Sequence, residues 1–281
     1  MTTPVPSRQD EPSAAIPPYA IKTWRYLRVA MIMLVAGLAV AVGHELVRTG
    51  CLKNSISAYY YTPARGLFVG ALVGIAACLV CLQGSTTAEN ILLNLAGALA
   101  PVVAFVPTTD HGGCPSIESA TENSGANIAN NVHALLIVGG AALMFVALTA
   151  RRERPPRAAL VAAVATAVVW LAALGVFEFE RTFFAEHAHG AAAVPMFLFI
   201  TAVVAINAFK YKADTNGTLR NRYTAIAIGM GLAIAADLIG YAVNWSERTV
   251  VSEIALLGLF ALFWTFQTYH LWKRGLWETP R

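Results

Sequence analysis

The chain has 281 residues, 57% of them hydrophobic and only 13% charged, whereas soluble domains carry about a quarter charged residues. Its formal net charge of +4 sits in short clusters beside long uncharged runs, with no basic groove interleaved with aromatics. That excludes a nucleic-acid partner and points to orientation signals in a membrane. The composition describes an all-α, polytopic transmembrane helix bundle.

Residues 1–22 hold Pro4, Pro6, Pro12, Pro17 and Pro18 with few large apolar groups, which predicts a disordered cytoplasmic tail. The first hydrophobic run begins late and is long, so it reads as a retained span and not a cleavable signal. Uncharged runs then recur at 29–43, 66–88, 90–109, 132–150, 158–177, 190–209, 223–236 and 254–271. A helix needs about 20 apolar residues to cross the hydrocarbon core, so the pattern predicts about eight spans. They make one transmembrane domain over 23–275, followed by a short cytoplasmic tail over 276–281. Pro101 and Pro195 fall inside spans and are expected to kink helices against neighbours. Gly139 and Gly140 permit close helix approach.

With eight crossings and the N-terminus inside, the inner segments carry Arg8, Lys22, Arg25, Arg28, Arg151, Arg152, Arg154, Arg157, Lys210, Lys212, Arg220, Arg222, Lys273, Arg274 and Arg281. The outer segments carry only Arg48, Lys53, Arg65, Arg181 and Arg248. This bias places both termini in the cytoplasm of a cell-membrane protein. Trp24, Trp272 and Trp277 then fit an inner aromatic belt, and Tyr59, Tyr60, Tyr61 and Trp245 an outer one.

Cys51 and Cys114 both fall in outer segments, where an oxidising exterior favours a disulfide; the alternative is two separate thiols. Cys78 and Cys81 form a C-x-x-C pair inside an apolar span and read as small hydrophobes.

Ionisable and amide side chains gather toward the outer boundary: His44, Glu45, Asp110, His111, Asn127, Asn130, Asn131, His133, Glu178, His187, His189, Asp237 and Glu253. Polar groups in hydrocarbon are costly and usually purposeful. His133 and Asp237 read as buried within spans, which makes them the candidate acid–base or ligand groups of an outward polar cavity. Asn130 and Glu178 are candidate ligand contacts beside it. His187 and His189 are the candidate zinc pair, yet two residues apart they point some 200° from one another on a helix. They share a metal only in an extended or irregular stretch, and no H-x-x-x-H or H-E-x-x-H pattern is present.

The segment 55–70 reads S-x-S-x-Y-Y-x-T-x-x-R-x-x-F-V-G. Arg65 offers a fork suited to phosphate or carboxylate, with Tyr61 and Ser57 beside it; tyrosines and a snorkelling arginine at an interface would look the same. Together with N-x-x-x-N-x-A-G from Asn90, Pro107-Thr108, and Phe-Trp-Thr-Phe-Gln-Thr around Trp264 and Gln267, this segment resembles uncharacterised bacterial multispan membrane proteins. That resemblance covers most of the chain and implies the fold. The chain is also similar to the CREST superfamily of membrane hydrolases, which includes alkaline ceramidases. This second resemblance implies Ser57, His133 and Asp237 as catalytic residues around zinc, although the paired histidines of that superfamily's late helices are missing here.

The sequence therefore predicts a bacterial inner-membrane protein whose outward polar cavity engages a membrane lipid or small amphiphile. A CREST-like metal-dependent hydrolase and a proton-linked transporter using Asp237 and His133 are the alternatives.

Overall fold

The computed structural model describes residues 18–108, 114–116, 124–153, 155–214 and 221–274. The expected tails therefore fall outside it for residues 1–17 and 275–281, as do Asp110, His111 and Trp277. Among the described residues there is no strand. Eight α-helices run α1 Pro18–Thr49, α2 Arg65–Cys81, α3 Thr87–Phe105, α4 Ser124–Glu153, α5 Arg157–Phe179, α6 Arg181–Asp214, α7 Arg222–Ala242 and α8 Arg248–Arg274, with a 3₁₀ helix at Ser57–Tyr61.

Seven of these helices are long and apolar enough to cross a membrane; α2, at 17 residues, is a shorter apolar helix. The chain is an integral membrane protein. Its surface agrees with its sequence: large apolar side chains such as Ile137, Phe145, Leu160, Val164 and Val168 are more than half exposed, a pattern water does not tolerate over such an area.

Helix contacts close a ring. In order, α1 packs on α2, α2 on α3, α3 on α6, α6 on α7, α7 on α8, and α8 back on α1. On α1, Met31, Val35, Leu38 and Val42 are buried while Met33, Val40 and Val47 are exposed, the one-sided stripe of a helix on the wall of a bundle. The ring interior is filled by side chains including Met31, Met230, Phe260, Phe263 and Trp264. Gly97 permits the α2–α3 approach: a Cβ there would lie 2.9 Å from the Ala76 carbonyl oxygen and 2.7 Å from Val80.

The α4–α5 hairpin stands outside this ring and packs on α3 and α6. Trp170 of α5 fits over Gly139 and Gly140, where added Cβ atoms would lie 3.0 and 2.9 Å from the indole, and donates to the Leu136 carbonyl at 3.1 Å. Pro101 and Pro195 lie within α3 and α6, the two helices most closely packed on one another.

Tyr59, Tyr60 and Tyr61 correct an expectation. They do not form an interfacial belt but are buried in the core, because the loop after α1 turns inward as the 3₁₀ helix and plugs the ring before α2 starts.

Candidate functional sites at the two ends of the ring

The start of α1 and the end of α8 meet, since Arg25 donates to the Trp272 carbonyl at 2.7 Å. That end carries the chain termini; the other carries the long loops.

At the termini end, a polar network crosses four helices. Thr86 caps α3 by accepting from the Glu89 backbone N–H at 3.2 Å, which fixes Glu89 in the first turn. The Glu89 carboxylate accepts from the Ser85 N–H and hydroxyl, both at 2.9 Å, from Lys210 at 2.7 Å and from Asn207 Nδ2 at 2.9 Å. Asn207 Oδ1 accepts from Gln267 Nε2 at 2.7 Å, and Gln267 Oε1 accepts from Arg28 Nη1. Glu89, Asn207, Gln267 and Arg28 are all buried. Amides pass the chain along because each offers a donor and an acceptor, so every proton points from Arg28 toward Glu89. The Arg28 guanidinium stacks on Trp24 and Trp264, 3.8 and 5.0 Å from the ring centres.

Beside this network, α1 and α8 leave a groove of about 370 Å³ lined by Ile32, Thr265, Thr268, Tyr269 and Trp272. Its lining is almost entirely apolar, and Arg25 lies at its edge, stacked on Trp272 at 4.6 Å.

At the loop end, four segments converge. The Glu253 carboxylate of α8 accepts from the Ser55 hydroxyl at 2.9 Å and from the Ile56 N–H at 2.6 Å. Ser57 Oγ accepts from the Thr108 N–H at 2.7 Å. His189 Nδ1 of α6 lies 2.8 Å from the Val106 carbonyl and 3.5 Å from Ser57 Oγ. A carbonyl only accepts, so Nδ1 carries a proton directed at Val106. Cys51 and Cys114 form a disulfide, and Lys53 donates to Ser116 at 2.8 Å. Both contacts tie the segment after α1 to the one after α3.

The other residues singled out in the sequence have separate partners. Arg65 stacks on Tyr60 at 4.0 Å and donates to its hydroxyl, and Tyr61 packs edge-on to Tyr60. His133 is half-exposed; its Nδ1 donates to the Ala129 carbonyl at 2.7 Å and its Nε2 is 3.4 Å from Glu178. Asn130 is exposed nearby on α4. Asp237 pairs with Arg248 at 3.3 Å and accepts from Thr249 at 3.3 Å. No hydrogen bond or ion pair among the described residues joins Ser57, His133 and Asp237. His187 is exposed and stacked on Phe183, while His189 is buried; α6 is continuously helical there, so the two rings diverge. Among the described residues no three His, Cys, Asp or Glu side chains group as metal ligands. Cys78 and Cys81 are free thiols, one buried and one exposed.

Comparison with protein-family models, with curated proteins and with solved structures finds no match to this chain.

Proposed function

We propose that this membrane protein engages a lipid or small amphiphile, and that it does so in the groove between α1 and α8 at the termini end. The groove itself carries the reading. It is an apolar concavity on the wall of the ring, and Arg25 stands at its rim. An acyl chain fits such a lining, and a polar head meets the basic rim. The bias of Lys and Arg toward the same end supports a location at the cytoplasmic face of the cell membrane, with the ligand entering from the inner leaflet.

Thr265 lies exposed on the groove wall, and Thr265→Trp fills the space. Native mass spectrometry of detergent-purified protein tests the idea. Wild-type protein should retain a lipid-sized adduct that the variant loses. Equal retention by both, or a wild type that strips to the bare chain, contradicts it.

The convergence of Ser57, Thr108, His189 and Glu253 supports a second reading, an outward-facing polar site for the same class of ligand. Ser57 bonds Thr108 and His189, and Glu253 bonds Ser55 and Ile56, whereas the groove is open, which is why the groove is preferred. Metal-dependent hydrolysis and proton-linked transport both need Ser57, His133 or Asp237 to act together. Their separate partners give those readings less support.

A further inference from the structure

We infer that the α1–α8 groove selects an anionic lipid, held at its headgroup by Arg25 and Thr268. This rests on the groove reading above and adds the charge of the ligand.

The first argument is charge. On α1, Arg25, Arg28 and Ile32 are spaced three and four residues apart and so share one helix face. Arg28 is only 3% exposed. Among the described residues neither guanidinium forms an ion pair with a carboxylate; the nearby Glu89 is paired with Lys210. The groove's edge thus holds the Arg25 guanidinium with no carboxylate paired to it among the described residues. A charge in that setting calls for a counter-ion.

The second argument is a set of donors. Arg25 Nε, Arg28 Nε, Trp264 Nε1 and Thr268 Oγ1 are all buried and have no hydrogen-bond partner among the described residues. Thr268, 7% exposed, lines the groove, and Trp264 sits one turn before it on α8 with Arg28 over its ring. Buried polar groups are bonded in the great majority of cases. These four, of the seven unpartnered atoms of that kind among the described residues, lie on α1 and α8, and each can donate to an acceptor. A headgroup phosphate supplies acceptor oxygens and negative charge together, and arginine matches it well. A zwitterionic headgroup offers the phosphate but cancels the charge.

The test uses full-length protein in phosphatidylcholine nanodiscs containing a small fraction of a lipid with brominated chains, either phosphatidylglycerol or phosphatidylcholine. Bromine quenches nearby indoles, and the difference between wild type and Trp272→Phe isolates the groove signal. Brominated phosphatidylglycerol should quench Trp272 at a mole fraction about tenfold lower than brominated phosphatidylcholine, the worth of one charge-assisted hydrogen bond. Arg25→Gln and Thr268→Val should each reduce that selectivity while leaving quenching by phosphatidylcholine in place, which shows the variants are folded. Equal quenching by the two lipids overturns the headgroup inference but leaves the groove reading standing. No quenching of Trp272 by either lipid overturns both.

Discussion

Glu89 and Lys210, 121 residues apart in sequence, form an ion pair 2.7 Å long across the contact between α3 and α6. The pair joins α3 to α6 at the termini end of the ring and anchors the amide chain that runs to Arg28. Removing one partner of a buried pair costs about 3–5 kcal/mol, and Lys210 is partly exposed, so the lower end applies. Glu89→Gln should lower the thermal midpoint in detergent, and adding Lys210→Met should recover part of the loss. An unchanged midpoint in Glu89→Gln would show that the network does not stabilise the bundle.

The Cys51–Cys114 disulfide closes a loop with a sequence separation of 63. Cross-links of that span contribute about 2–4 kcal/mol. Unfolded wild-type protein should bind two more maleimides after reduction than before it. Cys51→Ser should show no such gain and should melt earlier. Full labelling of four thiols without reductant would contradict the pairing.

Gly97 is the point of closest approach between α2 and α3. Gly97→Ala pushes a methyl against the backbone at Ala76 and should destabilise by about 1–3 kcal/mol. Gly70→Ala, where nothing lies within 4 Å of an added Cβ, is the control and should be neutral or slightly stabilising. Equal melting of the two variants would contradict the helix contact.

Burial pushes the Tyr59 phenol above its ordinary value, outweighing the lowering effect of the Lys53 backbone N–H. The unfolded chain therefore loses this proton first as pH rises past about 10. The stability it confers is complete below that pH and is lost as pH rises through the higher folded value. Tyr59→Phe should flatten the alkaline fall in the melting midpoint. An identical pH profile in variant and wild type would count against a buried, neutral Tyr59.

The helical architecture was legible because each span is a local property. The apolar runs predicted at 132–150 and 158–177 lie within α4 and α5, whose exposed Phe145 and Val164 show why those residues are apolar throughout. The short reach of α2 was not legible, because its run continues in sequence to 88 while the helix stops at Cys81. The tyrosines of 59–61 were misplaced for a related reason: an interfacial belt and a buried connecting loop have the same composition.

The polar network at the termini end was missed because no stretch of sequence contains it. Arg28 and Glu89 each read as a charge at the edge of a span, while Asn207 and Gln267 are single uncharged amides within apolar runs. Only the closure of the ring brings α1, α3, α6 and α8 together. Weighing His, Asp, Glu and Asn by their distance from the outer boundary drew attention to the loop end. A signal was present in Asn207 and Gln267, since an amide deep in hydrocarbon needs a partner. At the loop end, Ser57 and His189 were both singled out but for different roles. Their contact depends on the plug, which sequence did not reveal.

The account depends most on the two polar ends lying on opposite sides of one bilayer, with the groove end in the cytosol. Membrane-impermeant maleimide labelling of single cysteines, in a Cys78→Ala, Cys81→Ala background, measures this directly. Thr87 and Ser246 are exposed at the termini end and the loop end respectively. Ser246→Cys should react in intact cells, and Thr87→Cys only after the membrane is permeabilised. Labelling of Thr87→Cys in intact cells would contradict the account.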